Sequence, residues 1–180
     1  MIQKIITVPN QLLRQKSKPI VKVDKKTQKI IDDLLETVKG ASDPEGMGLS
    51  AIQIGQPIRI FVAKTGRNFE VFINPKITFC SRKKLKGALP KDKLLFEGCL
   101  SVPKIYGFVN RPFEIQISWE NISGRKKTKR FQDKLSVCLQ HEFDHLEGII
   151  FTDRLLKEKA KIYELKKDKN GEDYFQEVSL

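Results

Sequence analysis

The spacing of apolar residues in the first half of the chain predicts one long helix followed by strands. Between Asp24 and Lys39 apolar side chains recur at helical spacing, Asp24 is suited to cap the first turn, and Gly40 provides a stop signal. Residues 59–64 and 70–74 are short apolar runs separated by a turn, which indicates two strands. A shorter helical turn is predicted at 9–14.

The second half of the chain begins with strands and returns to helix. Residues 113–119 alternate strictly between apolar and polar, which is typical of a half-buried strand, and 127–132 is the expected hairpin partner. Asp133 is expected to cap a second helix that closes at Gly148. A last helix is predicted over 153–167, from a partial apolar stripe beside a lysine-rich face.

Together these elements predict an α+β fold. We expect one domain over residues 1–180, in which antiparallel strands pack around a central metal-binding helix that begins at Asp133, with a C-terminal helix after it. The polar residues 169–180 are expected to form a loosely ordered tail. A chain of 180 residues, 39% apolar and 31% charged, can bury one hydrophobic core, and this composition excludes the disordered and fibrous classes.

Cysteine content and charge indicate the cellular environment and the kinds of partner that we expect for the chain. Its three cysteines are too few for a disulfide framework, so we expect a reducing, cytoplasmic environment. No apolar run approaches the ~18 residues that span a membrane, and the N-terminus lacks the features of a signal peptide. The net charge of +12 comes mostly from scattered lysines without a nucleic-acid motif, which favours no specific nucleic-acid recognition.

The two histidines of the chain, His141 and His145, are four residues apart. On a helix this spacing puts both side chains on one face, with Cβ atoms ~5–6 Å apart, so both can reach one metal ion. Glu142 lies beside the first histidine and can reach a water bound to that ion. This is the HExxH pattern of two ligands and a general acid/base. The alternative is a surface helix that merely carries two histidines.

A catalytic metal of this kind takes a third protein ligand, which here must be Cys, Asp or Glu. Cys138 would lie about 7 Å along the helix axis from an ion held between the histidines, which is beyond its reach. The longer protease pattern HExxHxxGxxH fails because Phe151 stands at its final position. From the residues alone, Glu164 in the last predicted helix and Cys99 beside Gly98 both remain open.

Three segments, in this order, resemble the signature motifs of peptide deformylases. Residues 46–53 resemble the first motif, 97–101 match the second fully, and 140–145 match the third. The segments 73–75 and 9–14 are also similar to features of that family. One HExxH is weakly specific, whereas three motifs in order are strongly so. The resemblance implies a hydrolase that removes the formyl group from N-formylmethionyl peptides of newly made proteins and releases formate.

The resemblance also implies a role for each motif residue. One divalent metal, Fe(II) natively with Zn, Ni or Co as substitutes, would be held by Cys99, His141 and His145. Glu142 would act as the general acid/base, while the Gln53 side-chain amide and the Leu100 backbone N–H would stabilise the oxyanion.

The peptide substrate would lie extended beside Gly46 and Gly48, like an added strand. Its methionine side chain would enter an apolar hole, whose lining would be Gly48, Leu100, Val137, Cys138 and His141. Glu97 and Tyr106 are two further expected substrate-binding positions.

This sequence departs from the family pattern at three places. Ser50 stands where most members carry alanine, and residues 80–93 are longer and more basic than usual. Tyr106 stands near the position at which many bacterial members have an arginine that meets the peptide backbone. Because the family acts on nascent chains, a weak ribosome contact through the lysines of 157–169 is a further expectation.

Overall fold

The computed structural model describes residues 1–42, 45–85 and 96–178. The α-helices of this part are α1 (Lys25–Gly40), α2 (Asp133–Leu146) and α3 (Phe151–Lys157), and short 3₁₀ helices occupy Gln11–Arg14 and Ala51–Ile54. Its strands are β1 (Gly48–Ser50), β2 (Ile60–Lys64), β3 (Phe69–Cys80), β4 (Glu97–Cys99), β5 (Val102–Gly107), β6 (Glu114–Glu120), β7 (Lys126–Gln132), β8 (Ile162–Lys167) and β9 (Asp173–Val178). Within these ranges no helix combines the length and the apolar character needed to cross a membrane.

The strands form two antiparallel sheets, so the predicted α+β class with antiparallel strands is confirmed. One sheet has the order β1-β2-β3-β6-β7 and the other the order β4-β5-β8-β9. The β6–β7 hairpin forms as predicted, and Ile115, Ile117 and Trp119 on alternate positions of β6 face the core. The strand predicted at 70–74 is longer, because β3 continues through register shifts to Cys80.

Helix α1 forms where its capping and apolar signals predict it. The carboxylate of Asp24 accepts a hydrogen bond from the Thr27 backbone N–H at 2.8 Å. The apolar stripe of the helix packs against Leu49 of β1 and Val62 of β2. The stripe residues that are buried there are Ile30, Ile31, Leu34 and Val38.

Helix α2 packs against β1, β2, β6 and β7 of the five-stranded sheet. Leu139 and Leu146 on its apolar side join the core of that sheet. The predicted cap is wrong by one position: Gln132 is the N-cap, and Asp133 is the first helical residue, with a φ of +57°. Gly148 follows the helix with a φ of +73°, where a Cβ would overlap the backbone of Arg14.

The predicted helix over 153–167 is wrong beyond Lys157. Lys159 adopts a φ of +50°, and the Ala160 N–H donates to the Leu155 carbonyl at 2.9 Å, which closes the helix. A lysine therefore occupies the left-handed position that a glycine normally marks, and the sequence carries no stop signal. Leu156, part of the supposed apolar stripe, is 51% exposed.

The chain after α3 returns as a hairpin instead of continuing as a helix. β8 pairs with β5 and β9 pairs with β8, so the expectation of a loose tail is wrong for Asp173–Val178. The basic segment 80–93 is described only up to residue 85, where Leu85 is buried, and residues 86–93 lie outside the described part.

Candidate active site

Three buried side chains with metal-ligating atoms meet between the two sheets. His141 and His145 lie on successive turns of α2, with ring centroids 5.0 Å apart. Cys99 comes from the end of β4 in the four-stranded sheet, and its Sγ lies 3.2 Å from Nε2 of His145. The ligand atoms of all three residues lie within 4.8 Å of one another.

The other candidates for a third ligand lie elsewhere. Glu164 is on β8, not on a helix, and its carboxylate faces Lys166 at 3.2 Å. Cys138 is on α2, with its Sγ 3.6 Å from the Met47 carbonyl oxygen. Burial, followed by the nearby carboxylates of Glu142 and Glu97, raises the pKa of Cys138, which favours the neutral thiol over a ligating thiolate.

The cluster formed by Cys99, His141 and His145 fits one divalent cation. Burial would raise the pKa of the Cys99 thiol, but the imidazoles of His145 and His141 lower it well below its ordinary value, which favours the thiolate that metals bind. A tetrahedral ion with ordinary bond lengths separates sulfur and nitrogen ligands by ~3.6 Å, close to the Cys99–His145 distance. Burial would lower the pKa of His141, yet Cys99 and Glu97 raise it well above its ordinary value, so the site favours positive charge.

Glu97 holds His141 in the orientation that a metal ligand needs. Its Oε2 lies 3.1 Å from Nδ1 of His141, which leaves the other ring nitrogen available. Both carboxylate oxygens accept hydrogen bonds from Arg111, at 2.6 Å from Nε and 2.8 Å from Nη2. Burial would raise the pKa of Glu97, but the charges and hydrogen bonds of Arg111 and His141 together lower the pKa to about 2. Glu97 was expected beside the substrate, and it also orients His141, a candidate metal ligand.

The charged network around Arg111 was not predicted from the sequence. The guanidinium is buried and also donates to Asp144 Oδ2 at 2.8 Å, and Asp144 accepts two further hydrogen bonds, both from Arg154. One signal was available: Asp144 lies inside the HExxH segment, and a buried carboxylate there requires a cation. Nothing in the sequence says which arginine supplies it.

Glu142 is buried beside Cys99, His141 and His145. Burial raises its pKa above the usual value, against the opposing effect of the two histidines. The Ser50 hydroxyl lies 2.9 Å from Oε2 and 2.9 Å from the carbonyl oxygen of Glu142, and its single proton can be donated to either. Ser50, which replaces the usual alanine, therefore contacts the proposed base. Gly48 leaves space for the Glu142 carboxylate, since a Cβ at Gly48 would lie 2.7 Å from Oε1 of Glu142.

Gln53 is buried with its amide directed toward Cys99. Its Oε1 accepts from the Ser50 backbone N–H at 2.8 Å, which fixes which way the amide faces. Its Nε2 then donates to Ser101 Oγ at 3.0 Å and lies 3.7 Å from Cys99 Sγ. An N–H donor of Gln53 is consequently held next to the sulfur.

A cavity of about 290 Å³ opens onto this cluster. Its wall contains the residues expected to line the substrate site, which are Gly46, Gly48, Glu97, Leu100, Val137, Cys138 and His141. Met47 and Phe96 lie on the same wall. Tyr106 instead lines a neighbouring cleft with Leu100, and its ring covers Gly98, where a Cβ would lie 2.5 Å from the ring.

Two imidazoles, a thiolate and a buried carboxylate at the base of an apolar cavity define a metal-dependent hydrolase. The chain belongs to the polypeptide deformylase family, whose model matches residues 2–161, so the resemblance seen in the motifs is confirmed.

Individual relatives agree with this assignment. The chain is 39% identical over 173 residues to the peptide deformylase of Phenylobacterium zucineum, covering 92% of this chain and 96% of that one. It is 38% identical over 161 residues to that of Bartonella henselae, covering 87% and 85%. The Ehrlichia chaffeensis peptide deformylase, solved with actinonin, superposes with a TM-score of 0.77 at 34% identity, covering 88% of this chain and 91% of that one.

Proposed function

We propose that this site removes the formyl group from N-formylmethionyl peptides of newly made proteins. The observation that carries the proposal is the meeting of Glu142 with Cys99, His141 and His145 at the base of one cavity. Family membership supports the same reaction.

Cys99, His141 and His145 would hold the divalent cation, which when bound supplies Lewis acidity and makes water a nucleophile at neutral pH. Glu142 takes one proton from the attacking water as oxygen adds to the formyl carbon. It then gives that proton to the departing nitrogen as the carbon–nitrogen bond breaks. The products are formate and a peptide with a free methionine amine. Because burial raises its pKa, the Glu142 carboxyl is suited to both transfers.

Two N–H donors stabilise the charge that develops on the formyl oxygen. One is the Gln53 side-chain amide, which is held beside Cys99 by the bonds to Ser50 and Ser101. The other is the Leu100 backbone N–H, immediately after the ligand. Removal of one such donor typically costs about 10²–10³ in kcat.

The substrate lies extended along the glycine segment that lines the cavity. Gly46 and Gly48 allow the peptide backbone to approach closely, and the methionine side chain enters between Val137, Cys138 and Leu100. The donor set of one thiolate and two imidazoles suits Fe(II), the native metal we propose, as well as Zn, Ni and Co.

The test is formate release from formyl-Met-Ala, measured anaerobically with and without a chelator. Glu142→Ala is expected to keep its metal and lose activity by about 10²–10⁴-fold. Cys99→Ala is expected to lose metal affinity, and Cys138→Ala, on the same cavity wall, serves as the matched control that keeps it. Full activity in Glu142→Ala, or equal metal content in both cysteine variants, contradicts these roles.

We further propose a weak ribosome contact through the lysines of 157–169. Lys157 and Lys159 are exposed and make no ion pair with the described residues, whereas Lys161 pairs with Glu177 at 2.7 Å. Ribosome co-sedimentation should weaken in the double variant Lys157→Gln/Lys159→Gln. It should stay unchanged in Lys126→Gln, because Lys126 lies on β7 of the five-stranded sheet. Equal binding by all three proteins contradicts the contact.

A further inference from the structure

Five aromatic rings pack together on one face of the four-stranded sheet. We call them the ring cluster, and they are Phe96, Tyr106, Phe108, Tyr163 and Phe175. The cluster joins the segment before β4 to strands β5, β8 and β9. It therefore links the C-terminal strand, which lies beyond the family-matched residues 2–161, to the wall of the substrate cavity.

Phe175 of β9 makes two contacts in this cluster that lead to the cavity. Its ring stacks on Phe96 with centroids 4.9 Å apart and planes 5° from parallel. It also meets Tyr106 edge to face, with centroids 5.2 Å apart. Pairs of this kind stabilise the groups that they join beyond the effect of the area they bury.

Both partners of Phe175 act on the same short stretch of the substrate site. Phe96 lines the cavity directly. Tyr106 covers Gly98, which also lines the cavity. Phe175 thus holds the residues on either side of Glu97, one by direct stacking and the other through the tyrosine ring.

This support matters because the stretch belongs to a strand at the edge of its sheet. β4 has three residues and pairs with β5 on one side in the described sheet order. Phe96 precedes the strand, and its side chain is 36% exposed. Side-chain packing from the ring cluster therefore supplies lateral support that β4 lacks on its other side.

We propose that Phe175 is a positioning residue for the substrate-facing segment Phe96–Gly98, so that the C-terminal strand is part of the substrate-binding apparatus. This inference rests on the proposed deformylase function. Phe175 acts on substrate binding and not on the metal, since its ring contacts reach Phe96 and, through Tyr106, Gly98. Glu97 is held separately by Arg111, and Cys99 packs in the core with Leu155 and Ile162.

The test is steady-state formate release from formyl-Met-Ala-Ser with Phe175→Ala, together with metal content. KM should rise roughly three- to tenfold, which is the equivalent of one aromatic pair, with kcat within about twofold and metal content unchanged. Phe175→Tyr keeps the ring and should restore the wild-type KM. Tyr174→Ala is the matched control, because Tyr174 is 44% exposed and Phe175 45%, on opposite faces of the same strand.

Phe175→Leu keeps the apolar character without the ring, and it decides the question if the alanine variant does not fold. A wild-type KM in the folded Ala or Leu variant overturns the inference, as does an equal rise in Tyr174→Ala. A parallel loss of metal and kcat also overturns it, because that marks general destabilisation. Absence of formate release by the wild-type protein would instead contradict the proposed function itself.

Discussion

Replacing Arg111 by methionine removes the cation at the centre of the buried network and should destabilise the whole protein. The Arg111 side chain is 2% exposed and donates to two carboxylates, those of Glu97 and Asp144. Asp144 keeps a second arginine, Arg154, in the variant. Glu97 keeps only the imidazole of His141 among its described partners, so its buried charge loses its counter-ion.

Loss of one partner of a buried pair costs about 3–5 kcal/mol. For a chain of this length 1 kcal/mol shifts the melting temperature by about 2–4 °C, so Arg111→Met should melt about 6–20 °C lower. The matched control is Arg130→Met, which removes an exposed ion pair with Glu114 and should cost about 0.2–1 kcal/mol. Metal affinity should also fall by about 10- to 100-fold, because Arg111 no longer holds Glu97 in the position from which it orients His141.

The assay is thermal unfolding and urea unfolding of the metal-loaded proteins, with metal content measured in parallel. The double variant Glu97→Met/Arg111→Met leaves no unpaired charge, since Asp144 still has Arg154, and should regain much of the lost stability without regaining metal affinity. If Arg111→Met unfolds at the same urea concentration as Arg130→Met, the reasoning from buried charge is refuted.

Three further changes test individual contacts of the site. Gly48→Ala should push Glu142 aside and lower kcat for formate release by about 10- to 100-fold; an unchanged kcat would show that the carboxylate tolerates the extra methyl group. Ser50→Ala removes a buried hydrogen bond to Glu142 and should lower the free energy of unfolding by about 1 kcal/mol in urea titration; equal stability would mean the bond contributes nothing. Iodoacetamide should modify the exposed Cys80 of the metal-loaded protein, and Cys99 only after chelation, as read by mass spectrometry; early modification of Cys99 would argue against its role as a ligand.

Local signals predicted the elements whose boundaries are set by neighbouring residues. Helix α1 has both a cap at Asp24 and an apolar stripe, and the β6–β7 hairpin has strict alternation and a turn. The residues alone left Glu164 and Cys99 both open as the third ligand, because β4 and α2 are far apart along the chain. The family resemblance indicated Cys99, and in the structure its Sγ lies within 4.8 Å of the ligand atoms of both histidines.

The failures of prediction have a common physical cause. The chain end was predicted as helix and tail because Lys159 closes α3 in a conformation that glycine normally signals. β8 and β9 exist because they pair with β5 and with each other, which no local pattern encodes. Arg111 was missed for the same reason, since its partners lie on β4 and α2.

The donor atoms of the site belong to two separately packed halves of the molecule. Cys99 shares a hydrophobic core with Leu155 and Ile162, whereas His141 and His145 are carried by a helix whose apolar side faces the other sheet. A slight slip of one half against the other would alter the sulfur–nitrogen separation before it disturbed either core. Affinity for the cation therefore depends on how the two halves pack against each other. A substitution far from every ligand can lower metal affinity if it shifts one half relative to the other.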